Sequence, residues 1–163
     1  MNRDGESTPL RATPARWLNP RFAPDGHRLA FAVYDGAQDD VWTYDWSRDA
    51  LSRLTFDPAA DAAPVWTPDA SRIVFASTRH SRYPNLYWQR VDATGEIQRL
   101  TDTDRRQVPG SWDPNGKILA FTEYDSQTAA PILDSRTAAP TLMLLRLEGD
   151  EASGWRPVQP TGS

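Results

Sequence analysis

Two histidines, His27 and His80, and 22 acidic residues carry most of the acid–base and metal-binding chemistry open to this chain of 163 residues, which has no cysteine. His80 stands beside Ser81 in Thr78-Arg79-His80-Ser81-Arg82. A serine nucleophile needs a converging base, a carboxylate to orient that base and an oxyanion hole. Adjacent loop residues rarely converge, and no Gly-x-Ser-x-Gly elbow occurs. His27 follows Pro24-Asp25-Gly26, where the parallel positions hold Ser71 and Lys117, so it reads as an exposed turn residue. The densest carboxylates are Asp102 with Asp104, and Asp35 with Asp39 and Asp40. Neither group has the spaced acidic loop and bend glycine that calcium favours, so both read as solvated loops. A two-carboxylate glycosidase site needs a matched pair across a cleft, and the sequence places none. The expectation is no catalytic residue, no metal ligand set and no cofactor.

The charge balance narrows the partners. The 18 basic and 22 acidic residues give −4, which argues against a nucleic-acid footprint. The N-terminal Met1-Asn2-Arg3-Asp4-Gly5-Glu6-Ser7 is polar, without a secretory apolar core. The longest apolar runs, such as Leu142-Met143-Leu144-Leu145, are far shorter than a membrane span. A cytoplasmic protein is expected, with neither nucleic acid nor membrane as partner; periplasmic use stays open if the chain is part of a longer protein. The 14 prolines and 7 tryptophans disfavour long helices and favour short strands joined by tight turns.

Those strands are organised by an internal repeat. Phe22-Ala23-Pro24-Asp25-Gly26 returns as Trp66-Thr67-Pro68-Asp69-Ala70 and as Trp112-Asp113-Pro114-Asn115-Gly116, at offsets of 44 and 46 residues. Leu29-Ala30-Phe31, Ile73-Val74-Phe75 and Leu119-Ala120-Phe121 follow in step. Asp40-Val41-Trp42 matches Asn85-Leu86-Tyr87, and Ser52-Arg53-Leu54-Thr55 matches Gln98-Arg99-Leu100-Thr101. Each unit reads as four short strands, opened by a Pro-Asp-Gly turn whose glycine takes the left-handed conformation. Ala70 replaces that glycine in the second unit, which predicts strain or a different turn there. The second strands look apolar on both faces, as in a sheet packed on both sides, and Phe31, Phe75 and Phe121 are predicted to be equivalent buried residues.

A four-stranded antiparallel unit repeating at this period is the sign of a β-propeller blade. The predicted fold is all-β: blade one over 19–55, blade two over 62–101, and blade three over 108–161. Thr8 to Thr13 resembles a stray outer strand left from a preceding blade. Ser126 to Pro140 contains a nine-residue echo, Ser-x-Thr-Ala-Ala-Pro twice, read as an exposed loop insertion. Trp155 to Thr161 is a candidate final outer strand.

The repeats resemble the WD-like propeller repeats of the TolB-like family, with Trp-Ser-Pro-Asp-Gly, Ile-x-Phe and Arg-Leu-Thr. Here that pattern stands at Trp66 to Asp69, Ile73 to Phe75 and Arg99 to Thr101. Asn85 to Arg90 and Glu148 to Trp155 are also reminiscent of propeller regions attached to bacterial serine/threonine protein kinases, although no kinase motif is present. The resemblance implies a module for protein–protein interaction or ligand sensing. Its rivals are a gating or catalytic propeller of a hydrolase or lyase, and a remnant of a longer sensor.

Phe22, Trp66 and Trp112 are expected to pack between blades, whereas Trp46 and Trp88 are less regular and are read as exposed. Trp88, Leu10 and Trp155 are the contact-surface candidates. Three blades do not close a ring, since about four to eight are usual. A homodimer completing a six-bladed ring is therefore expected, with Leu10 to Thr13 or the Trp155 tail as the closing outer strand. An unidentified protein or peptide is the expected ligand.

Overall fold

In the computed structural model the described residues are Gly5, 7–10, 15–125, 140–147 and the backbone of Arg156–Pro157. They form three four-stranded antiparallel sheets. Blade one comprises β1 (Arg16–Phe22), β2 (Arg28–Tyr34), β3 (Asp39–Asp45) and β4 (Ala50–Arg53). Blade two comprises β5 (Asp61–Trp66), β6 (Arg72–Ser77), β7 (Asn85–Arg90) and β8 (Gln98–Arg99). Blade three comprises β9 (Arg106–Trp112), β10 (Ile118–Tyr124), β11 (Thr141–Arg146) and β12 (Arg156–Pro157). Within each sheet the strands lie in chain order.

Local chemistry sets the strand ends. Gly26 and Gly116 close their turns at φ 71° and 70°, and Ala70 accepts the same left-handed region at φ 56°. The sequence expectation of strain at Ala70 is met by its backbone. Each first strand is interrupted by a register shift: between Leu18 and Arg21 in β1, between Ala62 and Val65 in β5, and opposite Ala120 and Phe121 in β9. Pro20, Pro64 and Pro109 fall at these bulges, where a residue without an N–H does least harm to the ladder. At the third bulge a Cβ on Gly110 would sit 2.9 Å from the Ala120 carbonyl oxygen, so only glycine fits.

Alternation along the strands builds two cores, one at each blade junction. Ala30, Val41 and Leu54 of blade one meet Trp66, Ile73, Phe75 and Tyr87 of blade two. Val74, Leu86, Trp88 and Leu100 of blade two meet Leu119, Phe121 and Leu145 of blade three. Each junction sets large residues on the back face of one blade against the forward face of the blade before it. Phe31, Phe75 and Phe121 all lie on back faces and are 3%, 0% and 4% exposed.

Two aromatic expectations are corrected. Trp88, read as an exposed contact residue, is buried, because blade two is flanked on both sides and its third strand has no free face. Phe22, expected between blades, is 71% exposed and stacks on Trp46 with ring centroids 5.6 Å apart. Its counterpart Trp66 packs onto the blade before it, whereas no blade precedes blade one among the described residues. Trp46 is exposed, as expected. Leu10 is 44% exposed beside the back face of blade one, and the described part of its segment is not a strand. The echo at 126–139 and Trp155 lie outside the described residues. β12 takes the outer position of blade three.

Candidate functional site

The Arg-Leu-Thr signature has a mechanical meaning. Arg53 donates from Nη2 to Asp40 at 2.6 Å and from Nε to the Thr55 carbonyl at 2.8 Å. Arg99 makes the same two bonds to Asn85 at 2.7 Å and to the Thr101 carbonyl at 2.8 Å. The threonine hydroxyls accept from the β3 and β7 backbone, at Val41 and Leu86. Each fourth strand is thereby fastened to the start of the third.

The same threonines bridge to the next blade. Thr101 donates to Gln107 on β9, and Gln107 donates in turn to Glu123 at 2.8 Å. Thr55 bears on Asp61, the equivalent residue of β5, which is fully buried and takes a 2.8 Å bond from Arg79. Burial pushes the Asp61 carboxyl above its ordinary range against the pull of Ser77, Arg79 and Thr55. In blade one this position is Trp17, paired with Val33 where the other blades pair Asp61 with Ser77 and Gln107 with Glu123.

His80 and Ser81 do not converge on one point. The His80 ring nitrogen Nδ1 is 3.0 Å from the Tyr87 hydroxyl, and Ser81 Oγ accepts from the Tyr83 backbone. Among the described residues no group of three histidine or acidic side chains is arranged to hold a metal. Asp40 is engaged by Arg53, Asp102 pairs with Arg99, and Asp35 accepts from the Ala37 and Gln38 backbone.

A cleft lies at the Pro-Asp-Gly end of the junction between blades two and three. Comparison with the other junction explains it. There, Arg28 stacks over Trp66 at 4.8 Å and donates to the Ala70 carbonyl at 2.9 Å, while Trp66 Nε1 donates to the Arg21 carbonyl at 3.0 Å. The counterpart Arg72 stacks instead over Trp88, at 4.6 Å. Trp88 stands where blade one has Thr43, so Arg72 has a second aromatic face within reach and Arg28 has none. What remains is a cavity of about 530 Å³ bounded by Arg72, Trp88, Trp112, Asn115, Gly116 and Leu147. Trp112 lines this cleft, and its indole Nε1 is itself buried without a hydrogen-bond partner.

A family model for the TolB beta propeller domain matches residues 5–158. The chain belongs to the TolB β-propeller family. A solved structure of a putative TolB from Agrobacterium tumefaciens superposes with a TM-score of 0.71 at 23% identity, over 85% of this chain and 48% of that one. "Uncharacterized peptidase YuxL" of Bacillus subtilis (strain 168) is 26% identical over 110 residues, which is 64% of this chain and 17% of that protein. Tol-Pal system protein TolB of Anaeromyxobacter dehalogenans (strain 2CP-C) is 40% identical over 45 residues, 28% of this chain and 10% of the relative. This TolB-family chain thus spans only a small part of the curated relatives it matches.

The contact candidates read from sequence do not gather into one site. Trp88 helps form the cleft wall, with its Nε1 bonded to Gln98 at 2.7 Å, whereas Leu10 lies on the far side of the arc against blade one. Arg72 and Trp112 were missed as partners in a cleft. Their only sequence signal is the exchange of Thr43 for Trp88 between repeats, which shows its meaning once the junction is assembled.

Proposed function

We propose that this TolB-family chain is a non-catalytic interaction module that binds a protein or peptide segment at the cleft between blades two and three. The lining of the cleft carries this reading: the Trp88 and Trp112 rings supply apolar area, and Arg72 and Lys117 supply positive charge for a ligand carbonyl or carboxylate.

Peptide-library screening followed by NMR tests this. The Trp112 indole signals should move on titration with a selected peptide, and Arg72→Ala, which removes a charge from the lining, should weaken binding about tenfold. Robust turnover of a small substrate by the pure protein would overturn the reading. A second reading, a propeller segment serving a hydrolase, has the likeness to the Bacillus protein named as a peptidase in its favour. A hydrolase activity panel separates the two.

A further inference from the structure

The first junction holds one of its own arginines from three sides. Arg28 donates from Nε and Nη2 to Asp25 Oδ2 at 3.1 and 2.6 Å, and from Nη2 to the Ala70 carbonyl at 2.9 Å. Its guanidinium lies 4.8 Å from the centroid of the Trp66 ring. A carboxylate, a carbonyl and an aromatic face set around one point suit a planar fork of donors, which arginine has and lysine lacks.

The repeat supplies the same three partners at the second junction. Asp69, Gly116 and Trp112 are the counterparts of Asp25, Ala70 and Trp66, and all three line the cleft. The two turns that offer the carbonyl match closely. The Ala70 N–H donates to the Thr67 carbonyl at 2.9 Å and the Gly116 N–H to the Asp113 carbonyl at 3.0 Å, with both residues in the left-handed region. The arginine that blade two supplies has gone elsewhere, since Arg72 stacks over Trp88. Asp69 Oδ2, whose counterpart in blade one receives Arg28, accepts from the Ser71 hydroxyl at 2.7 Å. Burial raises the Asp69 pKa, but the Thr67 and Ser71 hydrogen bonds outweigh it and hold the carboxyl below its ordinary range. It is charged at neutral pH.

We propose that the cleft seats an arginine side chain of the bound peptide, stacked on Trp112 and donating to the Asp69 carboxylate and the Gly116 carbonyl. The inference rests on the peptide reading above and names the residue that the peptide presents. A carbonyl or carboxylate of the same peptide is left for Arg72 and Lys117, so the two signs of charge in the lining serve different parts of one ligand. The cavity of about 530 Å³ has room for both, within the roughly 300–1,000 Å³ of ligand clefts.

Three pools of random heptapeptides, alike except for a central arginine, lysine or citrulline, test the seat by NMR titration of the native chain, read at the Trp112 indole. The arginine pool should bind about tenfold more tightly than the lysine pool, which matches its charge but not its planar fork. Citrulline, which keeps the shape and loses the charge, should bind more weakly than arginine by a similar factor. Asp69→Asn keeps a side-chain oxygen for the turn. It should weaken the arginine pool about tenfold, leave the citrulline pool unchanged and leave circular dichroism as it was. Pools that bind alike or not at all, or an arginine preference that survives Asp69→Asn, would overturn the arginine seat. The library-selected peptide then judges the peptide reading separately, by whether it moves the Trp112 signals.

Discussion

Arg53 holds Asp40 at 2.6 Å across the end of β4 and the start of β3, and the carboxylate it meets is almost wholly buried. In blade two the equivalent Arg99 meets a neutral amide, Asn85. The two locks share a geometry but differ in what they leave behind when broken. Arg53→Ala strands a buried charge and should cost about 1.5–3 kcal/mol, the worth of a charged hydrogen bond. Arg99→Ala should cost less. Adding Asp40→Asn to Arg53→Ala should recover part of the loss, and urea unfolding of the native chain and the three variants measures each difference.

Phe75 and Phe22 separate packing that is complete from packing that is not. Phe75 is 0% exposed between two blades, and Phe75→Ala should cost about 3–5 kcal/mol. Phe22→Ala should cost about 1 kcal/mol or less, the scale of one exposed aromatic pair with Trp46. Thermal melts compare them directly. Equal losses would mean that Phe22 is covered in solution.

The turns predict an acid limb. The His27 backbone N–H, followed by Arg28, holds Asp25 below the usual carboxylate range. The Ile118 and Lys117 N–H groups do the same to Asp113, at 2.6 and 2.7 Å. Groups with depressed folded pKa values stabilise fully above the unfolded value, near 4, and lose that contribution as pH falls through the folded values. Asp61 acts in the opposite sense, since its raised pKa lets the folded state take up a proton first. The melting temperature should therefore fall below about pH 4, and Asp113→Asn should make the decline shallower.

Much of the fold was legible because repetition reports it locally. Pro-Asp-Gly marks each turn, Leu/Ile-x-Phe marks each back face, and Arg-Leu-Thr marks each strand lock. What escaped depends on the neighbouring blade. Trp88 and Thr43 share a repeat position, and whether a tryptophan there is buried, or draws Arg72 from its usual partner, is decided across a junction. Phe22 was misread for the same reason: its motif is intact, and the blade it would pack on is not among the described residues. The cleft at Trp112 is a difference between two junctions, which no single repeat displays.

Ala70 and Gly116 give the last test, because they fill the same turn position with φ 56° and 70°. The left-handed region costs a residue with a Cβ about 1–2 kcal/mol. Gly116→Ala should therefore destabilise by about 1 kcal/mol. Space does not forbid it, since the new methyl would meet Pro68 at an ordinary 3.6 Å. Ala70→Gly relieves the same strain but removes a methyl buried among Ala23, Ile73 and Trp66. Burying one such carbon is worth about 0.8 kcal/mol, so the two effects nearly cancel and the melting temperature should barely move. Because Gly116 borders the cleft, its alanine variant also narrows the proposed site. A peptide that binds there should lose affinity in Gly116→Ala and keep it in Ala70→Gly, a contrast that titration calorimetry reads apart from stability.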